Sequence, residues 1–204
     1  DGRPGTEIEA LAGQVLDDLQ GRDVLISGGV LDDSIRLMAL RRGMAVKVIS
    51  SPLAESAHYR LYLAEFFTEP RQQALLQVGF GAFLQDFLAQ DEGILRAAAI
   101  DLCDPLREFG YLVPDRLVFR AEPQAERVDL ARLAESQKPF WARLEKLATG
   151  LADPRNPARA YQDYLLRIAS KVANNLGFAQ MEHGDAAGAT ETFRQARRIH
   201  EGNI

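Results

Sequence analysis

Residues 23–50 decide the fold, and they read DVLISGGVLDDSIRLMALRRGMAVKVIS. The run at 23–27 is apolar without alternation, which is typical of a strand buried on both faces of a parallel sheet. Two glycines then lead into a helix-periodic segment over 31–42, which Gly43 ends. The run at 45–50 predicts the next strand. This order predicts a right-handed strand–helix–strand crossover.

The same alternation of helices and strands extends to both sides of this unit. Toward the amino terminus, residues 6–9 fit a capping box, which predicts a helix that begins at Thr6 and stops at Gly21. Toward the carboxyl terminus the patterns predict helices over 55–67 and 72–89, a strand over 97–102, a short helix opened by Asp104 and an edge strand over 117–120. We therefore predict that residues 1–123 form a small Rossmann-like α/β domain with a parallel sheet of three or four strands.

After Pro123 the strand patterns give way to helical periodicity. Helices are predicted over 128–135, 139–151 and 158–183, with DPRNP at 153–157 as a break. Phe140 and Trp141 lie on an amphipathic stretch, and we predict that they anchor these helices to the α/β layer. Residues 124–204 are therefore predicted to form an all-α helical extension.

Residues 170–199 carry the most specific motif of the chain. Its positions are Leu176-Gly177, Gly184-Asp185 at a turn, and Ala189, Phe193 and Ala196 on a following helix. Small side chains at 177 and 189 let two antiparallel helices approach closely, and Phe193 fills the space between them. This segment resembles a tetratricopeptide repeat, a helix–turn–helix unit of 34 residues. The chain departs from that pattern at Ala173, Gln180 and Glu201, and no second repeat is visible 34 residues upstream.

The resemblance implies that the first helix of the pair lines a binding groove. Its residues facing a partner would be Lys171, Asn174, Phe178 and Met181. The alternative is that Phe178 and Met181 pack on the helix at 139–151, because an isolated repeat needs cover. The expected partner is another protein or the remainder of the same chain.

A second candidate site lies where the strands of the predicted sheet end. The residues of this possible ligand crevice are Ser27, Gly28, Gly29, Asp32 and Asp101. Ligands of doubly wound folds bind at such strand ends. The glycine spacing fits neither a dinucleotide fingerprint nor a P-loop, and Asp32 and Asp33 would repel a phosphate at the helix start. The alternative is that these two carboxylates only cap the helix.

The amino-acid composition argues against several classes of partner and site. The chain has 204 residues, 47% hydrophobic and 26% charged, with 24 basic against 29 acidic side chains and a net charge of −5. That balance argues against a nucleic-acid partner. The single cysteine, Cys103, excludes a disulfide within the chain, and the three histidines lack metal-ligand spacing. We predict no metal, no cofactor, no catalytic residue and no direct membrane insertion.

The order of elements also resembles, over roughly 20–200, the soluble tails of bacterial membrane proteins related to protein O-mannosyltransferases. The matching residues are Gly29, Leu31-Asp32-Asp33, Pro114-Asp115, Leu117 and Phe119-Arg120. The resemblance implies an accessory domain that binds glycan or acceptor beside a membrane-embedded enzyme, and it carries over no catalytic residue. Both ends of the chain read as cut ends of a longer protein. The compartment stays open between cytoplasm and periplasm.

Three functions follow from these patterns. The first is a non-enzymatic protein-interaction or scaffold module, a fragment of a larger protein. The second is the accessory domain just described. The third is a small enzyme with a carboxylate site at the strand ends, where Asp32, Asp101 and Asp104 would act as acid–base groups. That third function requires a concave pocket that holds at least two of the three carboxylates.

Overall fold

The computed structural model describes residues 4–101, 104–124, 128–150 and 159–202. The chain divides into two compact units. The α/β unit spans Glu7–Leu112 and Phe119–Ala125, and the helical unit spans Glu126–Ile204 together with Val113–Val118 and Asp1–Thr6. The predicted boundary at 123/124, as a division between separately folding domains, stays a prediction.

The elements alternate through the first part of the chain and are helical afterwards. In chain order they are α1 Pro4–Asp18, β1 Val24–Ser27, α2 Asp32–Arg41, β2 Lys47–Ser50, a 3-10 turn at Leu53–Glu55, α3 Ala57–Ala64, α4 Pro70–Val78, α5 Phe80–Leu88, α6 Asp91–Arg96, β3 Ala97–Ala99, α7 Asp104–Phe109, β4 Tyr111–Asp115 and β5 Val118–Glu122. Three longer helices follow: α8 Leu130–Gly150, α9 Arg159–Glu182 and α10 Ala186–Ile199.

One five-stranded sheet carries the order β2-β1-β3-β5-β4. β1 pairs in parallel with β2 on one side and with β3 on the other, which confirms the α/β class and the parallel core. The expectation of an entirely parallel sheet with three or four strands is wrong, because β5 pairs antiparallel with β3. A two-residue connection such as the one between β4 and β5 can only join antiparallel strands.

The additional strand β4 explains two errors of the sequence prediction. Pro114 lies inside β4, and a proline within an apolar run argues against a strand. Proline is tolerated here because β4 is the edge strand of the sheet. The predicted edge strand, observed as β5 at Val118–Glu122, is therefore an inner strand.

Several helix boundaries also differ from the prediction. α1 begins at Pro4, so Thr6 lies inside the helix rather than at its cap. The helix predicted over 72–89 is two helices, α4 and α5, which meet at Gly79 in extended backbone with φ 169°. The two helices predicted on either side of Pro139 are the single helix α8. Pro139 removes one backbone hydrogen-bond donor from α8. The residues that follow it, Phe140, Trp141 and Leu144, are buried, and this packing offsets the loss.

Large side chains form the core of the α/β unit. Phe67, Phe83 and Phe87 are buried, with ring centroids 4.7 Å apart for Phe67 and Phe83 and 5.6 Å apart for Phe83 and Phe87. They belong to one cluster with Val24, Ile26 and Ile49 of the parallel strands. Burial of one such side chain contributes about 1.5–3 kcal/mol to the free energy of unfolding.

The helical unit has buried clusters of its own. Leu130 of α8 forms a buried cluster with Leu176 and Ala179 of α9. The buried amide of Gln137 donates from Nε2 to the carbonyl oxygen of Pro114, 3.0 Å away, and its Oε1 accepts from the backbone N–H of Arg116, 3.3 Å away. This side chain therefore binds the β4–β5 turn to α8 within the same unit.

Candidate functional site

The carboxyl ends of neighbouring parallel strands bring the predicted crevice residues to one edge of the sheet. Ser27 ends β1, and Asp101 lies two residues after β3. Between them, the N–H of Ile100 donates to the carbonyl oxygen of Ile26 at 2.8 Å. In the strand order, β2 lies on one side of β1, and the chain then crosses to β3 on the other side. The strand ends between β1 and β3 are therefore a topological switch point, where α/β folds bind ligands. We call Ser27, Gly28, Gly29, Asp32 and Asp101 the carboxyl edge.

Backbone geometry shapes the turn after β1. The hydroxyl oxygen of Ser27 accepts a hydrogen bond from the N–H of Gly29 at 3.2 Å. Gly29 has φ +97°, in the left-handed region that favours glycine. Asp101 also has a positive φ, +71°, which is uncommon for a residue with a side chain. Gly28 and Gly29 are both exposed at the start of the connection to α2.

Asp32 and Asp33 differ sharply in their surroundings. Asp33 is fully exposed and pairs with Arg36 at 3.1 Å. The Asp32 side chain is only 5% exposed, with Oδ2 3.8 Å from the Arg36 guanidinium and a buried Oδ1 that has no hydrogen-bond partner. Neither carboxylate is the N-cap of α2, which is Leu31 and makes no side-chain cap hydrogen bond, but both lie in the first turn of the helix, where a negative charge complements the helix dipole. The side chains of Cys103 and Asp104 lie outside the described residues.

An ionic cluster at the opposite edge of the sheet gave no signal in the sequence. Asp23 precedes β1, and its carboxylate accepts from Lys47 of β2 at 2.7 Å and twice from Arg96, which precedes β3, at 2.8 Å. Burial alone would raise the pKa of Asp23, but hydrogen bonds and charges from Arg96 and Lys47 outweigh it and lower the pKa to about 2. Asp23 thus stabilises the register of all three parallel strands.

The last two helices form an antiparallel hairpin. The Ser170 hydroxyl of α9 donates to the carbonyl oxygen of Ala196 near the end of α10, at 2.7 Å. Nearer the turn, the Thr192 hydroxyl donates to the Gln180 side chain, also at 2.7 Å. These pairings run in opposite directions along the two helices, as the helix–turn–helix interpretation requires.

Small residues allow this close approach. A Cβ added at Gly177 would lie 2.6 Å from a ring carbon of Phe193, and both Ala189 and Ala196 are buried. We call Ser170, Gly177, Ala189, Phe193 and Ala196 the seam. Gly177 is therefore required by the position of the Phe193 ring, because any larger side chain would displace it.

The turn between the helices is built from the predicted pair of residues. Gly184 has φ +83°, a conformation that is strained for residues with a Cβ. Asp185 is the N-cap of α10, where its Oδ1 accepts from the Gly188 N–H at 2.8 Å. Its Oδ2 accepts from the Gln180 side chain at 3.3 Å, so the cap also binds the end of α9. The His183 ring contacts the carbonyl oxygen of Ala179 through Nδ1 at 2.9 Å.

One face of α9 leaves apolar side chains in contact with solvent. Phe178 and Met181 are 52% and 53% exposed, so α8 does not cover them. The Phe178 ring packs edge-on against Phe193, with centroids 5.2 Å apart. Lys171 and Asn174 are half-buried on the same face, at helical spacing from Phe178. We call Lys171, Asn174, Phe178 and Met181 the α9 face; that it binds a partner stays a prediction.

A groove between the three long helices was not predicted. It has a volume of about 580 Å³, and side chains of α8, α9 and α10 line it. The groove is lined by Ala131, Ala134, Glu135, Lys138, Trp141, Ala142, Leu176, Gln180, Asp185, Gly188, Glu191, Thr192 and Gln195. The amphipathic pattern around Trp141 predicted only that this residue packs against other helices. The groove itself depends on how α8 lies against α9 and α10, which the sequence does not reveal.

The α/β unit exposes apolar side chains as well. Tyr62 and Phe66 pack edge-on with ring centroids 4.8 Å apart, and both are more than two-fifths exposed. They border a cavity of about 80 Å³ that is also lined by Arg36 and Lys47. Its volume is well below the ~300–1,000 Å³ of typical ligand sites.

In the part of the chain that the structure describes, no three histidine, cysteine or acidic side chains converge as metal ligands would. None of its helices combines the length and apolar character that crossing a bilayer demands.

No protein-family model, curated protein or solved structure matches this chain. The resemblances to a tetratricopeptide repeat and to mannosyltransferase-related tails therefore stay predictions, and the function has to be argued from the geometry.

Proposed function

We propose that this chain is a protein-interaction module whose partner binds the α9 face. The observation that carries the proposal is the exposure of Phe178 and Met181, two large apolar side chains one turn apart on the same helix. Apolar side chains in contact with water lose a favourable contribution of burial that a partner restores on binding.

The surroundings of these two side chains favour recognition over incidental exposure. Phe178 is held against Phe193, so it presents a ring already fixed in position and loses little conformational entropy on binding. Lys171 and Asn174 on the same face offer a cation and an amide beside the apolar pair. Interfaces commonly combine aromatic and methionine anchors with such polar groups at the rim.

Photo-crosslinking tests the proposal on the whole chain. Benzoylphenylalanine placed at Phe178 should crosslink a discrete partner in an extract of the cells that naturally make the protein. The matched control is the same residue at Arg194, which is exposed on α10 outside both the α9 face and the groove. Equal crosslinking from both positions, or none from Phe178, would contradict the proposal.

A second candidate function is a small enzyme with a carboxylate site at the carboxyl edge. The buried Oδ1 of Asp32, which has no hydrogen-bond partner, favours it, because burying an unsatisfied carboxylate oxygen is costly unless another role maintains it. Asp32→Asn should raise the free energy of unfolding if the carboxylate serves a ligand. A loss of stability would mean that the carboxylate is structural, and this candidate would then be dropped.

A further inference from the structure

The groove between α8, α9 and α10 is a second surface on the helical unit, separate from the α9 face. Its lining runs from Ala131 to Ala142 on α8 and from Asp185 to Gln195 on α10. At 1.5 Å per residue each of these stretches is about 15 Å long. The shape is therefore elongated, and about five residues of extended chain, at ~3.3 Å each, match it better than a compact small molecule.

The lining of the groove is apolar at its centre. Ala131, Ala134 and Ala142 of α8 expose carbon surface there. Trp141 lies beneath them, 4% exposed, with its ring 4.9 Å from that of Phe140 between centroids. The polar groups beside them are fixed by one another, since Thr192 donates to Gln180. Such a surface can accept an apolar side chain without rearranging.

The charged side chains of the groove indicate which kind of peptide it would bind. The lining carries three carboxylates, Glu135, Asp185 and Glu191, against one lysine. Lys138 is already paired with Glu135. Glu191 is paired with Arg194 at 3.4 Å and with Arg198 at 3.6 Å.

Asp185 differs from these carboxylates in its partners. It accepts hydrogen bonds from the neutral Gly188 N–H and Gln180 amide, and no basic side chain forms an ion pair with it within the described ranges. Its negative charge is consequently the one in the groove that a cation from outside would neutralise.

We infer that this groove binds a peptide segment of a partner protein that places an apolar side chain on the alanines of α8 above Trp141 and a lysine or arginine beside Asp185. The length of the groove, its alanine-lined wall and a carboxylate that has no basic partner among the described residues all fit this occupant. The inference is independent of the α9 face, and either one can fail without the other.

A peptide-display selection with random sequences tests the inference. Peptides of about ten residues, ~33 Å when extended, are selected on the chain carrying Phe178→Ser and Met181→Ser, which removes the apolar pair of the α9 face. Trp141 is the only tryptophan of the chain, so its emission reports whether a selected peptide occupies the groove. We expect enriched peptides that combine apolar with lysine or arginine residues and shift this emission saturably.

Three variants assign the binding to the groove. Asp185→Asn keeps an N-cap residue and removes the charge, and it should weaken the selected peptides about three- to fivefold. Ala131→Leu with Ala142→Leu, at two exposed positions of α8, should fill the groove and weaken them more than tenfold. Arg197→Ala, at an exposed position of α10 outside the lining, should change their affinity by less than twofold.

Four results would overturn the inference. The first is that no peptide is enriched, and the second is that the enriched peptides are acidic or uncharged. The third is that affinity survives the two leucines. The fourth is that Trp141 emission changes with protein concentration in step with dimer formation in the ultracentrifuge, because a second copy would then be the occupant.

Discussion

The seam and the α9 face lie on the same helix and differ in what their side chains do. At the seam, Gly177 brings the backbone of α9 against the Phe193 ring, and Ala189 and Ala196 are buried. On the α9 face, one residue further along, Phe178 is 52% exposed. Small residues thus complete the packing between α9 and α10, and the larger apolar side chains of the α9 face stay about half exposed and available for another role.

The largest expected effect tests the seam directly. Gly177→Val should lower the free energy of unfolding by about 1–3 kcal/mol, because the new side chain overlaps the Phe193 ring. Urea unfolding followed by circular dichroism measures the change. Phe193→Ala should restore part of the loss in the double variant. A fully additive double variant would show that the two residues do not interact and that Gly177 does not belong to the seam.

A matched glycine sharpens this test. Gly177→Ala and Gly81→Ala both replace a helical glycine, which alone favours the helix by up to about 1 kcal/mol. Only Gly177 has an atom close to the added Cβ, whereas Gly81 faces open space. The first substitution should therefore destabilise the chain relative to the second.

The turn should give the next largest effect. Gly184→Ala forces a residue with a Cβ into φ +83°, which costs about 1–2 kcal/mol in the left-handed region. The same unfolding experiment measures it, and Ala186→Gly, at the exposed first residue of α10, serves as a control for helix propensity. An unchanged free energy of unfolding for Gly184→Ala would mean that the turn does not constrain the hairpin.

Acid should act on the α/β unit more than on the seam, whose five residues include no titratable side chain. The pKa of Asp23 is about 2 in the folded chain and near 4 when unfolded, so its contribution is complete above pH 4 and disappears as the pH falls toward 2. Because the group is part-exposed, solvent screening keeps that contribution on the order of 1 kcal/mol.

Unfolding in urea at pH 7 and pH 3 measures this contribution. Asp23→Asn should lower the free energy of unfolding at pH 7 and reduce its change between the two pH values. Gly177→Val should leave that change as in the unaltered chain. An Asp23→Asn chain as acid-sensitive as the unaltered one would show that other carboxylates dominate.

Local patterns predicted those parts of the fold that local sequence determines. The strands at residues 23–27 and 45–50, the helix between them and the turn at Gly184-Asp185 all depend on neighbouring residues, and their positions are confirmed to within a few residues. β4 was not predicted, because Pro114 is compatible with a strand only at the edge of a sheet. Whether a strand lies at the edge depends on the whole sheet. Similarly, α8 runs through Pro139 because its flanking side chains are buried, which a local pattern does not reveal.

The candidate sites show the same division. Helical spacing placed Lys171, Asn174, Phe178 and Met181 on one face, whereas the contacts of Asp23 with Lys47 and Arg96 join residues up to 73 positions apart. The groove likewise depends on how α8 lies on the hairpin. Such features follow from tertiary packing, so no spacing rule within one segment predicts them.

The smallest expected effect on stability belongs to the α9 face. Phe178→Ser with Met181→Ser should lower the free energy of unfolding by about 1 kcal/mol, because about half of each side chain is already in water and the Phe178–Phe193 contact is the main packing lost. Urea unfolding checks this against Gly177→Val. A loss as large as that of Gly177→Val would make Phe178 part of the seam.

The most direct test of the binding claim is crosslinking from Asn174, which lies on the α9 face but is not altered by the two serines. Benzoylphenylalanine at this position should capture the same discrete partner as at Phe178. In the chain that also carries Phe178→Ser and Met181→Ser, the adduct should disappear while the circular dichroism shows that the chain stays folded. An adduct that persists in this chain would contradict the assignment of the α9 face as the binding surface.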